Sequence, residues 1–272
     1  MSLQTSGLIF QPKWLSQTEY NEILNYLLSI EPIWEKRNED RWLLRPVYWL
    51  GVWQFACLDY YHPPKGIYDR CVWSDSYPPI LQDKVKQIER MVKSQFPARD
   101  IPFGWTLNTC LVNYYGDKIE NGVRQDCARV GEHKDFEPGP VASLSFGERA
   151  LFQFVESQSK FQTSQVKHQM WLDDNSLQIF GGDRFKKKLF HRVQRVDKKN
   201  NFSFPLKGIH NFETRRINLT FRYVPNDHIK RYHKLPKEAI EATLPYVKQL
   251  AIHSKIFEAE IMKLKSQDPS LA

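Results

Sequence analysis

RINLTFR, at residues 216–222, is the stretch that decides how this 272-residue chain is interpreted. If it is a β-strand, its side chains alternate between two faces. One face would be polar and the other apolar, with Arg216, Asn218, Thr220 and Arg222 opposite Ile217, Leu219 and Phe221. A polar face can simply meet water. Inside a barrel, however, the two arginines would need partners, because an unpaired buried guanidinium is very costly, and a dicarboxylate ligand would supply them.

This stretch is the last of several short β-type runs, which are separated by turn residues. The runs fall at 106–115, 141–146, 150–155, 176–180 and 216–224. No long helical pattern lies between them, so parallel βαβ winding is not expected. The sequence instead predicts a β-sandwich or jelly roll.

Helical patterns flank this β region on both sides. In the first pattern, Ser16 and Glu19 have the spacing of a capping box. The patterns fall at about residues 16–30, at about 80–96 and after Pro225, where Pro245 is expected to interrupt the helix. Between the first two helices lies an aromatic-rich, irregular stretch at 48–77.

The composition excludes several classes of protein. The chain carries 39 Lys+Arg against 31 Asp+Glu, a formal charge of +8, and 41% hydrophobic residues, which lies outside the disordered range. Its mean hydropathy is −0.56, and no stretch approaches the roughly 20 apolar residues that cross a bilayer. No secretory signal is visible and the four cysteines are widely spaced, so we expect reduced thiols in a cytoplasmic or nuclear protein that is not secreted. The positive charge favours nucleic acid as a partner.

A second informative motif is His133-Lys134-Asp135, whose i, i+2 spacing places an imidazole and a carboxylate on one side of an extended chain. With His191, 58 residues downstream, these side chains would form the two-histidine, one-carboxylate triad of non-haem Fe(II) oxygenases. His191 taken alone would be read as a hydrogen-bonded structural histidine. His168 is a competing third ligand, but its surroundings at 157–169 are polar and loop-like, and we expect it to be exposed.

Together these motifs resemble the AlkB family of Fe(II)/2-oxoglutarate-dependent nucleic-acid dealkylases. They occur in the family's order as NYYG at 113–116, GEHKDFE at 131–137, VASLSFG at 141–147, GG at 181–182, His191 and RINLTFR. The RxNxTxR pattern is specific to that family, whereas HxD…H is shared with the wider dioxygenase superfamily. The resemblance covers roughly residues 105–224. It implies a double-stranded β-helix (jelly-roll) core. With the helical patterns on either side, the expected fold is α+β, with flanking N-terminal helices and a helical C-terminal extension.

The resemblance also implies the site residues. Fe(II) would be ligated by His133, Asp135 and His191, and 2-oxoglutarate would be held by Asn113, Tyr115, Arg216, Asn218 and Arg222. Glu137 resembles the carboxylate that reads a damaged base, which suits the positive charge of 1-methyladenine and 3-methylcytosine. Tyr61 resembles the aromatic residue that stacks on a flipped base, although a tyrosine in this aromatic stretch also fits plain packing.

Basic residues cluster around His191: Lys186, Lys187, Lys188, Arg192, Arg195, Lys198 and Lys199. The cluster is either a solvated loop face or a set of phosphate contacts beside the active-site mouth, and we expect the latter. The chain departs from the family in three places. These are an apparent inserted loop at 117–129, a loop-like stretch at 157–169, and the residues after 224.

We therefore expect one catalytic domain at 1–224, followed by a helical extension at 225–272. Within the domain, 1–104 would supply helices and a substrate-facing aromatic region, and 105–224 the jelly-roll core. The expected activity is oxidative demethylation of N-alkylated bases in DNA or RNA, releasing formaldehyde, succinate and CO₂, by a monomer that contacts no membrane. Two alternatives remain: the same chemistry on tRNA or a protein side chain, and a non-catalytic nucleic-acid-binding module with a vestigial metal site.

Overall fold

The computed structural model describes residues 3–37, 41–51, 57–58, 70–71, 74–135, 137–156, 163–194, 202–226, 229–252 and 254–269. The first nine strands are β1 Leu3–Thr5, β2 Leu8–Gln11, β3 Lys36–Arg37, β4 Arg41–Trp42, β5 Val47–Gly51, β6 Cys57–Leu58, β7 Arg70–Cys71, β8 Thr109–Glu120 and β9 Val123–Asp126. The others are β10 Val130–His133, β11 Val141–Gly147, β12 Ala150–Glu156, β13 Gln165–Leu172, β14 Ser176–Phe180, β15 Phe190–Gln194, β16 Phe204–Leu206, β17 Ile209–Arg222 and β18 Ile229–Lys230. The α-helices are α1 Gln17–Ser29, α2 Pro79–Gln95, α3 Lys237–Ala251 and α4 Lys255–Gln267, and a single turn of π-helix spans Asp183–Lys188.

Two antiparallel sheets form the body of the protein. The larger sheet has the order β1-β2-β14-β11-β17-β8-β5, with β9 added beside β8 and β16 beside β17. The smaller sheet has the order β10-β15-β12-β13. This arrangement, with few helices around it, confirms the predicted jelly roll, and it places β17 between β11 and β8 in the larger sheet.

The two faces of β17 differ as the alternation of its sequence predicts. Ile217, Leu219 and Phe221 are fully buried in the main hydrophobic core, together with residues of α1 and α2. The polar side chains lie on the opposite face, where Arg216, Asn218 and Arg222 are also buried and Thr220 is partly buried. Arg222 on this face contacts Asp135, which follows β10 of the smaller sheet. The polar face of β17 therefore lines the space between the two sheets.

The N-terminal helices form within a residue of their predicted bounds. Ser16 caps α1, and its hydroxyl accepts from the backbone N–H of Glu19 while the Glu19 carboxylate accepts from the N–H of Ser16. The predicted capping box is thus confirmed. The apolar stripes of both helices pack against the larger sheet, with Ile23, Leu27 and Ile88 completely buried.

Most of the segment 117–129, from Asp117 to Asp126, is a β-hairpin, so the expectation of an irregular loop is wrong there. Strand β8 continues to Glu120 and pairs with β9. Asn121 and Gly122 form the turn, with φ values of 51° and 76°. Asn-Gly is the preferred dipeptide for a two-residue hairpin turn, because both positions require positive φ.

The second loop-like stretch also contains a strand, β13, and His168 lies within it. Its ring is partly buried, with the ring centroids of Phe185 and Phe154 at 5.9 and 6.3 Å. The expectation of an exposed histidine is therefore wrong. The polar residues around it are accommodated because a strand at the edge of the smaller sheet turns one face to solvent.

The C-terminal residues form a helical region with a hydrophobic cluster of its own, which includes Tyr232, Val247, Phe257 and Leu264. Pro245 lies inside α3 and does not end it. Ile33 packs against this cluster and also against the cluster formed by Val47 and Trp49 of β5. Division of the chain into a domain and an extension remains a prediction. Among the described residues, no helix is long and apolar enough to cross a membrane.

Candidate active site

Two histidines and an aspartate meet where β10 pairs with β15. The register of these strands places His133 directly opposite His191, and their ring centroids are 4.2 Å apart. Asp135 lies two residues beyond His133, and its Oδ2 is 3.4 Å from His191 Nε2. One ligand atom from each of the three side chains lies within 4.8 Å of the others. The three therefore form a compact group that can hold one metal ion.

A backbone hydrogen bond fixes the tautomer of His133. Its Nδ1 lies 2.8 Å from the carbonyl oxygen of Gly131. A carbonyl oxygen only accepts, so Nδ1 must carry the proton and Nε2 keeps its lone pair. A metal-binding histidine commonly donates its second ring nitrogen to such a carbonyl, which holds the ring in orientation.

His191 is enclosed by aromatic rings. It stacks on Phe152 at a centroid distance of 5.5 Å, and the ring of Phe180 lies 5.1 Å away. Burial lowers the pKa of His191 to about 3, against the opposing charge of Asp135. The imidazole is therefore neutral at physiological pH, which is the form that binds metal.

Asp135 is held in its charged form by surrounding cations. Burial alone would raise its pKa, but the charges of Arg222 and Lys186 hold the pKa well below its usual range. Two imidazoles and one carboxylate are the ligand set of a ferrous site. The two cysteines whose side chains the structure describes, Cys110 and Cys127, are not part of the group. The residues present thus fit Fe(II).

On the polar face of β17, Arg216 offers an unpaired donor. Its side chain is buried and one Nη donates to Ser145 Oγ at 3.1 Å, but Nε has no hydrogen-bond partner among the described residues. A buried guanidinium nitrogen without a partner is costly. A carboxylate of 2-oxoglutarate would satisfy it, so this side of the site fits the co-substrate.

Tyr115 lies between two guanidinium groups. Arg216 approaches its ring to 5.0 Å and Arg45 approaches it to 4.8 Å. Arg45 also donates from Nε to Asn113 Oδ1 at 2.9 Å. Sequence reasoning missed Arg45, because it lies outside any of the recognised motifs, and only the pairing of β5 with β8 carries it to the pocket.

The structure brings the remaining residues of the expected co-substrate set to the same wall. Asn113 and Asn218 are direct partners in the register of β8 and β17. The amide nitrogen of Asn218 donates to Ser143 Oγ at 2.8 Å, and its oxygen accepts from Thr220. Since its amide is already satisfied within the protein, Asn218 is suited to shaping the wall.

Glu137 is buried beside the metal group, and its Oε1 lies 3.5 Å from Arg222 Nε. It faces the site, as its proposed contact with a base requires. Tyr61, the residue proposed to stack on that base, lies outside the described residues.

The basic cluster does not form one surface. Lys187 and Lys188 are exposed, and both lie near Asp183. Arg192 donates to Gln153 Oε1 and to Glu132 Oε1, at 2.8 and 2.6 Å. Arg195, Lys198 and Lys199 lie outside the described residues.

Lys186 differs from its neighbours because it turns inward. Its Nζ is completely enclosed and lacks a hydrogen-bond partner among the described residues. The sequence analysis expected it to contact phosphates together with Lys187 and Lys188. The π-helical turn instead buries Phe185 and Leu189, and the Nζ of Lys186 between them is enclosed as well.

A jelly roll in which two histidines and a carboxylate form one compact group is typical of a non-haem iron oxygenase. The sequence model described as the 2OG-Fe(II) oxygenase superfamily matches residues 7–222. The chain belongs to that superfamily, and Fe(II) and 2-oxoglutarate are its cofactor and co-substrate.

No curated protein matches the sequence. Among solved structures, the chain is similar to the structure of OsALKBH1, with 19% identity, a TM-score of 0.48, and coverage of 81% of this chain and 100% of that one.

Proposed function

We propose that this oxygenase removes methyl groups from the nitrogen atoms of nucleic-acid bases by oxidation. The observation that carries the proposal is the pairing of Arg222 with both Asp135 and Glu137. This pairing joins the metal group, the co-substrate wall and a buried carboxylate in one enclosed space. The RxNxTxR pattern at 216–222 and the formal charge of +8 support a nucleic acid over other substrates.

The side chains of the site have separate tasks in this proposal. His133, Asp135 and His191 hold the metal, and the aromatic rings around His191 exclude water from it. Arg216 binds a carboxylate of the co-substrate through its free Nε. When bound, Fe(II) and 2-oxoglutarate supply the oxidation of a C–H bond by molecular oxygen.

In this proposal, polar side chains of the active site recognise the base. A base inside a duplex cannot reach an enclosed metal, so it must be unpaired or flipped out of the stack. Glu137 and Lys186 are the described polar side chains that would meet its edge. Hydroxylation of an N-methyl group gives an N-hydroxymethyl group, which leaves as formaldehyde.

A product assay tests the proposal. Purified enzyme with Fe(II), 2-oxoglutarate and O₂ is given matched oligonucleotides that carry 1-methyladenine, 3-methylcytosine, N6-methyladenine or no methyl group. Formaldehyde and the unmethylated base should appear only with a methylated strand. A methylated protein pool and a tRNA pool serve as further substrates. Formaldehyde release from the protein pool alone would contradict the proposal, and so would succinate formation that no oligonucleotide stimulates.

A further inference from the structure

A chain of hydrogen-bonded polar side chains crosses the smaller sheet. It takes one residue from each strand, in the order Glu132 of β10, Arg192 of β15, Gln153 of β12 and Gln169 of β13. Arg192 donates from Nη1 to Glu132 Oε1 at 2.6 Å and from Nε to Gln153 Oε1 at 2.8 Å. Gln153 donates in turn to Gln169 Oε1 at 2.9 Å. These contacts tie the four strands of the sheet together through their side chains.

The ion pair in this chain flanks the metal group. Glu132 immediately precedes His133 on β10, and Arg192 immediately follows His191 on β15. The two histidines are themselves direct partners in the register of these strands. Since neighbouring side chains of a strand point to opposite faces, the ion pair and the histidine pair lie on opposite sides of the same two strands. Any change in the spacing of β10 and β15 therefore moves both pairs.

The backbone of β10 is a weak support for a metal ligand. The strand lies at the edge of the smaller sheet, where its neighbour is β15. The register places Val130 opposite Val193 and His133 opposite His191, so β10 holds one residue more than β15 between these two pairs. Such a bulge disrupts the ladder of backbone hydrogen bonds. Glu132 lies within the bulge, and its carboxylate supplies a connection to β15 at that point.

The ion pair is held at both of its ends. The exposed fraction of the side chain is 17% for Arg192 and 27% for Glu132. The second carboxylate oxygen of Glu132 accepts from Ser164 Oγ at 2.7 Å, and Gln153, the other partner of Arg192, is buried. A hydrogen bond between charged groups is stronger than a neutral one, and partial burial limits its screening by solvent. Arg192 was expected to contact phosphate, but its Nε and Nη1 are used within the sheet.

We propose that Glu132 and Arg192 are positioning residues that set the spacing of His133 and His191, and with it the affinity of the enzyme for iron. They act on the metal group through the two strands that carry them. The inference goes beyond the proposed function, because it concerns the metal group and does not depend on the substrate that is oxidised. An ordinary surface ion pair at the same place would affect only the stability of the sheet.

Two substitutions break the pair from opposite sides. Arg192→Met removes the guanidinium but keeps an unbranched side chain, and Glu132→Gln keeps the shape of the side chain and removes its charge. Lys167→Met is the matched control, since Lys167 pairs with Glu156 at 2.8 Å across β13 and β12 of the same sheet. Electron paramagnetic resonance gives the Mn(II) affinity of each apo protein, and urea unfolding gives its stability.

We expect Arg192→Met to weaken Mn(II) binding roughly tenfold, the lower end of the loss that follows removal of a group that orients a metal ligand. Glu132→Gln should weaken it less, because a neutral amide still accepts a weaker hydrogen bond. A direct effect of charge would instead have opposite signs in the two variants, since loss of a cation strengthens the binding of Mn(II) and loss of an anion weakens it. Lys167→Met should leave the Mn(II) affinity unchanged.

Unchanged or tighter Mn(II) binding by folded Arg192→Met overturns the positioning role, and so does an equal loss in Lys167→Met, which would indicate general loosening of the sheet. Glu132→Gln keeps the test decisive if Arg192→Met does not fold, because weaker Mn(II) binding supports the role and unchanged binding overturns it. Formaldehyde release by the wild type is scored separately. Its absence with every methylated oligonucleotide would end the proposed function and leave this inference standing.

Discussion

Arg222 contacts one oxygen of Asp135 and leaves the other to the metal group. Its Nε and Nη2 lie 2.9 and 2.8 Å from Oδ1, while Oδ2 lies 3.4 Å from His191 Nε2. The arginine therefore orients the carboxylate that is expected to ligate iron. If Arg222 also holds 2-oxoglutarate, as the resemblance implies, metal and co-substrate binding would be coupled through this pair of contacts.

The contact with Asp135 allows Arg222 to be distinguished from Arg216, the other arginine of this face of β17, by experiment. We expect Arg222→Lys to weaken both Mn(II) and 2-oxoglutarate binding, because an ammonium cannot reproduce the paired contact of a guanidinium. Arg216→Lys should weaken 2-oxoglutarate binding roughly ten- to hundredfold, the loss of one charge-assisted hydrogen bond, and leave Mn(II) affinity unchanged. Calorimetric titration of the apo protein measures both constants.

Arg215 is the matched control for Arg216. It lies next to Arg216 in the sequence but pairs with Asp117 at 2.7 Å and Glu148 at 3.1 Å, and all three are buried. Arg215→Lys should lower the melting temperature without changing the 2-oxoglutarate dissociation constant. Equal effects of the two substitutions on that constant would contradict the assignment of Arg216.

The metal group gives the second prediction. His133→Ala, Asp135→Ala and His191→Ala should each abolish turnover and reduce Mn(II) binding at least about a hundredfold, because a three-ligand site has no spare protein ligand. His168→Ala should retain both properties, since His168 is not part of the group of ligands. Electron paramagnetic resonance of Mn(II) is the readout. Loss of Mn(II) binding in His168→Ala, with retention in His191→Ala, would show that the wrong histidine was chosen.

Arg45 provides a third prediction that the sequence did not suggest. We expect Arg45→Met to weaken 2-oxoglutarate binding about three- to tenfold, because the substitution removes a positive charge beside Tyr115 and a donor to Asn113. Arg184→Met is a suitable control, since Arg184 also lies over an aromatic ring, that of Phe185, and is exposed. An unchanged titration for Arg45→Met would exclude it from the co-substrate site.

The exposed lysines of the π-helical turn test the phosphate contacts. Replacing Lys187 and Lys188 by Ala should weaken binding to an unmodified oligonucleotide and reduce the slope of log affinity against log salt by about 0.7–0.9 per lost contact. Lys207→Ala, in the turn between β16 and β17, should leave the slope unchanged. Anisotropy titrations at several salt concentrations give the slopes. Identical slopes for all proteins would mean that the turn is simply solvated.

The hairpin at 117–129 supplies a stability prediction. Gly122 has a φ of 76° and no neighbouring atom that would clash with a Cβ. Gly122→Ala should therefore cost about 1 kcal/mol through backbone strain alone. Gly122→Asn should cost less, because Asn tolerates this conformation. Urea unfolding measures both, and 2-oxoglutarate affinity should not change in either variant.

Much of the fold was predictable because its signals are local. The alternation at 216–222 predicted the two faces of β17, and the spacing of Ser16 and Glu19 predicted the start of α1. The Asn121–Gly122 turn could also have been predicted, since Asn-Gly between β-type residues is a strong hairpin signal, although a loop was predicted there. Pro245 shows where local signals fail. Proline disfavours a helix interior, so an interruption was predicted, but α3 continues through Pro245 because the packing of the helix outweighs this local preference.

The site residues could be predicted where the geometry of a strand determines the direction in which their side chains point. His133 and Asp135 share a side of an extended chain, and His191 follows the glycine turn that brings β15 back beside β10. Lys186 could not be placed in this way, because the direction of its side chain depends on one extra residue in a π-helical turn. Arg45 reaches the pocket only through the pairing of β5 with β8, which depends on residues far apart in the sequence.

The position of β17 between β8 and β11 also sets the order of events when the chain is made. Both neighbours leave the ribosome before β17 exists, and at about 5–20 residues per second they wait for several seconds with an edge unpaired. Such edges readily join other chains, so the nascent protein is expected to need a chaperone during that interval. Completion of β17 then closes the large sheet and delivers both arginines to the pocket in the same folding step, so that binding competence and resistance to aggregation arise together.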